Sequence, residues 1–257
     1  MTAHLTGTLA GKTVRRLGFG TMRLTGTGVW GEPASEKDAV TVLRSAVNLG
    51  VQHIDTADAY GPYVAEDLIR KALFPYSDDL VIATKGGFTR HGPGLWVPCG
   101  VPAYLRQCVE LSLRRLHVEA IDLYYLHRVD PNIPLADQVG ELELMRQEGK
   151  INALGLSKVD LAQIQEAKLT APIAAIQNSF SLINHDESGA VVDWCQRNHV
   201  AFVPYAPLGA GKLVTAGESV GSIEALSWLL HRSPTIFPIP GTSRLEHLQE
   251  NLRADLL

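Results

Sequence analysis

Leu80-Val-Ile-Ala-Thr-Lys85 is a run nearly continuous in apolar and β-branched residues that closes on a lysine. Unbroken apolarity, as opposed to alternation, is what a strand buried on both faces requires, and such strands belong to parallel sheets covered by helices. The same form recurs at Val14–Gly20, Val51–Asp55, Ile121–His127, Ile151–Ser157, Ala174–Asn178, Ala201–Ala206 and Ile236–Ile239. Amphipathic stretches separate these runs. In one of them Ser35-x-x-Asp38 supplies a capping-box-like start, Val40, Leu43, Ala46 and Val47 form the apolar stripe, and Gly50 supplies a left-handed stop. Further helical stretches lie near 102–116, 135–148, 160–168, 187–198 and 244–256.

Eight β/α units in 257 residues predict a closed (β/α)8 barrel, formed by residues 1–257 as a single domain. A doubly wound open sheet uses fewer strands and reverses its strand order part-way. Leu5–Val14, turning at Ala10-Gly11-Lys12, reads as a short β-hairpin placed to plug the bottom of the barrel.

Composition narrows the functional classes. Hydrophobic residues make up 46% of the chain and charged residues 19%, with a net charge of −4 and no basic stripe, so nucleic acid is not an expected partner. Cys99, Cys108 and Cys195 are isolated from one another, which supports neither a disulfide framework nor a zinc site, and no metal is expected. No signal-like N-terminus or membrane-length apolar run occurs, and the expectation is a cytoplasmic protein with no membrane partner.

In a (β/α)8 barrel, chemistry collects where the strands end. Three of the strand runs finish on Asp55, Lys85 and His127, and the string His53-Ile-Asp-Thr-Ala-Asp-Ala-Tyr-Gly61 adds Tyr60 from the loop after the second strand. A phenol titrates near pH 10, too high for an efficient acid at neutral pH, so an adjacent ammonium is expected to lower it. Lys85 is the candidate cation, Asp55 its anchor, and His127 a neutral donor to a substrate carbonyl. Each residue alone also has an ordinary structural reading as a capping, ion-pairing or hydrogen-bonded side chain.

Taken together, these residues resemble the catalytic tetrad of the aldo-keto reductase family, and the resemblance covers nearly the whole chain. It implies carbonyl reduction with a nicotinamide cofactor on a (β/α)8 barrel, with Asp55, Tyr60, Lys85 and His127 as the tetrad. Gly155-Leu-Ser-Lys158 resembles the family's G-x-S-N, which implies that Ser157 and Gln177 meet the nicotinamide carboxamide, with Lys158 in place of the usual asparagine. Tyr205 resembles the aromatic that stacks on the nicotinamide ring, followed by Pro207, Leu208 and Gly209 in the loop over the diphosphate. The segment from Ile239 to Asn251 resembles the adenosine-phosphate site, with Gly241, Thr242, Ser243 and Arg244 near the phosphate and His247, Glu250 and Asn251 toward the adenine. Gly241 stands where better-studied members carry a basic residue. NADPH is the expected cofactor, with NADH as the alternative. Lys212 to Ser222 is brief for the family and implies a trimmed connection before the last strand.

Trp30 and Trp96 fall in loops after the first and third strands and are candidate walls for a flat aldehyde substrate. The strings Gly28-Val-Trp-Gly-Glu-Pro33 and His127-Arg-Val-Asp-Pro131 resemble the bacterial branch that includes pyridoxal reductases, which implies reduction of pyridoxal to pyridoxine. Two rival readings stand beside this one: a Schiff-base lyase using Lys85, and a cofactor-binding redox sensor without catalysis.

Overall fold

The computed structural model describes residues 4–209 and 220–256, so the expectation for the connection at 212–222 falls mostly outside the described residues. The chain enters through a hairpin of β1 (Thr6–Leu9) and β2 (Lys12–Arg15), paired antiparallel with Leu9 opposite Lys12. Ala10 and Gly11 turn it with φ values of 50° and 80°, the doubly positive geometry that matches strand twist in a tight hairpin.

The barrel wall follows: β3 (Phe19–Gly20), β4 (His53–Asp55), β5 (Val81–Gly86), β8 (Ile121–Leu126), β9 (Ile151–Ser157), β10 (Ile173–Gln177) and β11 (Ala201–Phe202), all parallel and hydrogen-bonded in that order. A small hairpin, β6 (Phe88–Thr89) with β7 (Val97–Pro98), projects from the loop after β5. Helices α1 (Glu36–Asn48), α2 (Val64–Leu73), α3 (Pro102–Leu116), α4 (Leu135–Gln147), α5 (Leu161–Lys168) and α6 (Asp186–Asn198) alternate with the wall strands, and α7 (Ser222–Arg232) and α8 (Leu245–Asn251) complete the outer ring. Ser35 caps α1 by accepting the amide of Asp38 at 3.2 Å.

Closure runs through 235–240. Phe237 donates to the carbonyl of Phe202 on one side, while Pro238 and Pro240 accept from Gly18 and Gly20 on the other, at 2.9 and 3.2 Å. Both prolines lack the N–H that a regular ladder needs toward β3, so the expected strand Ile236–Ile239 closes the barrel without becoming a full strand. Three other boundaries also differ from expectation. Val14 and Arg15 belong to the plug hairpin and not to the first wall strand. The wall strand expected at Ala201–Ala206 keeps ladder geometry only to Phe202, ending in a left-handed Ala206. The last helix stops at Asn251, and the chain turns so that Asp255 can pair with buried Arg15 through two contacts of 2.6 Å.

The pleat sorts the side chains into two cores. Val81, Ala83, Leu123, Tyr125, Ala175, Val203 and Phe237 fill the barrel interior, closed from below by Leu9 and Val14 of the hairpin. Ile54, Ile82, Tyr124, Leu154 and Ile176, from the intervening positions, pack outward against the helices.

Candidate active site

The same alternation decides what reaches the open end. On β5, Val81 and Ala83 point inward, so Lys85 does too; on β8, Leu123 and Tyr125 point inward, so His127 just past its end follows them. Asp55, Ser157 and Gln177 finish β4, β9 and β10 on the same face, and Tyr205 follows β11 with its amide bonded to Asn178. Tyr60 arrives by a loop pinned to β5, in which Thr56 and Asp58 donate to the carbonyls of Ala83 and Lys85 at 2.8 and 3.1 Å. Gly61 must end that loop, because its φ is 95° and a side chain there would collide with Val64.

The four predicted residues form one buried cluster. Lys85 Nζ donates to Asp55 Oδ1 at 2.5 Å, to the Thr56 carbonyl at 2.7 Å and to the Tyr60 hydroxyl at 3.4 Å. The second oxygen of Asp55 accepts from Gln177 Nε2 at 2.8 Å, so Gln177 supports the carboxylate as well as facing the cleft. The His127 ring sits edge-on to Tyr60 at 5.9 Å and to Phe88 at 4.7 Å.

Burial works against the Lys85 charge, but Asp55 and Tyr60 outweigh it and hold the lysine above its ordinary pKa. His127 lies well below its ordinary value because burial, Lys85, Arg128 and Arg90 all oppose a second proton, so the imidazole is neutral. Tyr60 departs from expectation. Burial raises its pKa by more than Lys85 lowers it, so the phenol keeps its proton at neutral pH.

A cleft of about 840 Å³ opens above the cluster. Of the predicted residues, Asp55, Tyr60, His127, Trp96, Ser157, Lys158, Gln177, Tyr205, Pro207, Leu208 and Gly241 line it. Lys85 is sealed beneath with no exposed surface. Trp30 is not among the lining residues; its loop pairs with Gly61, and Arg90 lies between its ring and that of Trp96, at 5.6 and 3.6 Å. Gly209, Thr242, Ser243, Arg244, His247, Glu250 and Asn251 also lie outside the lining. Thr242 Oγ1 accepts the Arg244 amide at 3.0 Å, the Arg244 side chain is exposed, Glu250 accepts from Ser222, and Asn251 is buried.

Of the two departures from the family pattern, the backbone explains Gly241 and not Lys158. Lys158 adopts a left-handed φ of 54°, a conformation asparagine reaches more easily, and its exposed side chain stands at the cleft edge. A side chain at Gly241 would strike the carbonyl of Gly20 at 2.6 Å, so the strand-closing contact excludes a basic residue there. Arg23 passes within 3.7 Å of the same point and carries a cation to that wall.

Arg23, Phe88 and Arg128 line the cleft without having been singled out. Arg128 follows strand-final His127 directly, a position that the alternation argument assigns to the outer face. Its guanidinium instead folds over the rim to reach Ser157 Oγ at 2.9 Å. Phe88 sits in β6, too short for periodicity to reveal.

A second polar cluster lies on the outer face of β5. Thr84 donates to Glu66 Oε1 at 2.6 Å, Arg115 Nε meets Glu66 Oε2 at 2.5 Å, and Asp58 is buried beside them. Burial, reinforced by the charge of Glu66, pushes the Asp58 carboxyl up to about 7.

The aldo/keto reductase family model matches residues 16–224. The chain belongs to the aldo/keto reductase family. It is 45% identical over 251 residues to an uncharacterized oxidoreductase of Schizosaccharomyces pombe, covering 94% of this chain and 81% of that one. It is 41% identical over 267 residues to pyridoxine 4-dehydrogenase of Escherichia coli, covering 98% and 93%. An aldo-keto reductase of Klebsiella pneumoniae solved with NADPH superposes with a TM-score of 0.82 at 25% identity, covering 99% and 90%. As an aldo/keto reductase, the chain is an oxidoreductase on the family's barrel. Among the described residues, no helix is long and apolar enough to cross a membrane.

Proposed function

We propose that this aldo/keto reductase reduces an aldehyde or ketone to an alcohol with NADPH, using Tyr60 as the general acid, and that pyridoxal is a substrate. One observation carries the reading: the Lys85 ammonium touches both Asp55 and Tyr60 at the floor of the cleft, beside a neutral imidazole.

The cleft residues suit a nicotinamide dinucleotide. Tyr205 offers a flat ring, Ser157 and Gln177 offer a hydroxyl and an amide, and Arg23 and Lys158 carry positive charge to the lining, since Asp55 is already paired. When bound, the reduced cofactor supplies a hydride to the carbonyl carbon, which builds negative charge on the oxygen. Tyr60 donates its proton to that oxygen, and the phenolate left behind is stabilised by Lys85, held charged by Asp55. His127, uncharged, donates a hydrogen bond to the same oxygen without competing as an acid. Phe88 and Trp96, edge-on around His127, exclude water from one side of the reacting centre. A Schiff-base role for Lys85 is disfavoured by the same ion pair, because imine formation needs the free amine.

Loss of NADPH absorbance with a panel of aromatic aldehydes including pyridoxal tests the reading. Tyr60→Phe is expected to lower kcat by about 10²–10⁴ while NADPH affinity stays within about twofold. Wild-type turnover in Tyr60→Phe would remove the assigned acid. Good turnover of simple aromatic aldehydes with none of pyridoxal would remove the named substrate and leave the reductase.

A further inference from the structure

Arg128 has an environment that the reduction step does not use. Its Nη1 donates to the His127 carbonyl at 2.7 Å and to Ser157 Oγ at 2.9 Å, and its guanidinium carbon lies 5.7 Å from the ring centroids of both Phe88 and Tyr205. Nε and Nη2 have no partner among the described residues, and no described carboxylate lies within 4.0 Å of the group. The neighbouring Arg90 is different. Its Nε, Nη1 and Nη2 bond the backbone carbonyls of Leu95, Ala59 and Gly28, which fixes Trp96 and leaves no nitrogen free. A partly buried guanidinium between two aromatic rings has lost solvation that an acidic oxygen in the cleft would replace, with geometry suited to two parallel N–H donors. Among the described residues, every other charged group that lines the cleft is Asp55, already paired, or a cation, so none of them repels such an anion.

We infer that Arg128 determines substrate choice: the enzyme prefers carbonyl compounds that carry an ionised oxygen, a carboxylate or a phenolate, over neutral ones of the same shape. The inference rests on the reductase reading above and narrows it. Arg128 is a specificity residue, since the proton and charge movements at the carbonyl fall to Tyr60, Lys85 and His127.

The experiment pairs acids with their neutral counterparts. With NADPH, the wild type is expected to reduce 2- and 4-carboxybenzaldehyde at pH 8, and 4-hydroxybenzaldehyde at pH 9, with kcat/KM at least about tenfold above the matching methyl esters and methyl ether. The arm that keeps the advantage identifies carboxylate or phenolate and its position on the ring. Arg128→Met is expected to bring each pair to within about threefold by slowing the acids alone, and Arg128→Lys to keep part of the preference. Equal turnover of acids and esters by the wild type, or an equal loss on both in Arg128→Met, overturns the inference. So does a rise in the KM for NADPH as the only change, which would assign Arg128 to the cofactor.

Binding is read separately by tryptophan fluorescence, with benzoate and benzamide titrated into the wild type and Arg128→Met. Benzoate binding at least about tenfold tighter than benzamide, lost in the variant, supports the anion site even if no aldehyde turns over. That combination would defeat the reductase reading while keeping the site; aldehyde turnover without anion preference would do the reverse. Equal binding of benzoate and benzamide, or benzoate preference retained in Arg128→Met, overturns the site.

Discussion

The two faces of β5 carry nearly the same polar inventory and do different work. Lys85 turns inward to Asp55 and Tyr60, with Gln177 on the far oxygen of Asp55; Thr84, one residue earlier, turns outward to Glu66, with Arg115 and Asp58 beside it. Each face buries an acid against a cation, an arrangement whose desolvation cost is close to its electrostatic return. Access separates them. Tyr60 and His127 carry the inner cluster to the wall of the cleft, whereas the outer cluster is closed in by α2 and α3. The outer face still serves the inner one, since Asp58 belongs to the loop that delivers Tyr60 and its amide is bonded to the Lys85 carbonyl. Chemistry therefore follows from where the pleat points a group and what it leaves open, more than from which groups are present.

Lys85→Met challenges the inner half of this contrast most severely. Aldehyde reduction is expected to fall by about 10³ or more, because the Tyr60 phenolate loses its counterion. Retention of activity within tenfold, measured by NADPH consumption, would mean that the two faces do not differ as described.

Glu66→Gln attacks the outer half and should give the opposite profile. Removing the carboxylate leaves Arg115 uncompensated and is expected to cost about 2–3 kcal/mol, a fall of roughly 4–12 °C in Tm, with kcat/KM of the folded enzyme within about threefold. A large activity loss at unchanged Tm would make the outer cluster part of the reaction.

Asp58→Asn has almost no effect at pH 4 and gives the sharpest pH signature. The folded-state pKa of about 7 lies above the ordinary 3.8, so the protonated carboxyl is favoured by folding. Its contribution is complete below about pH 4 and is lost as pH rises through 7, reaching at most about 4 kcal/mol. The amide cannot ionise, and the variant is expected to melt about 4 °C or more above the wild type at pH 8 and within about 1 °C of it at pH 4. Taking the difference cancels His53, whose burial lowers its pKa to about 4 and makes both proteins less stable as pH falls below 6.5. A wild-type–variant difference that stays constant from pH 4 to 8 would show that Asp58 does not titrate in this range.

Much of the site could be read along the chain because strand-final polar residues advertise themselves against apolar runs. Asp55, Lys85 and His127 were visible for that reason, and Tyr60 through its place in an unusual loop string. Trp30 and Trp96 looked equivalent in sequence, yet Arg90 and the β6–β7 hairpin bring only Trp96 to the cleft. The ladder ends at Phe202 and the closing segment 235–240 were similarly opaque, since missing proline donors and a left-handed Ala206 act on pairing and not on hydrophobicity.

Spacing along the chain determined the alternation of strands and helices, the barrel class, the plug hairpin and which residues stand at the strand ends, because periodicity follows directly from backbone geometry. Only the tertiary structure decided that Tyr60 keeps its proton, that Gly241 admits no side chain, and that Arg128 folds over the rim with two nitrogens unpaired among the described residues. Desolvation, backbone contact and charge pairing depend on groups distant in sequence, and those distances close only when the barrel does.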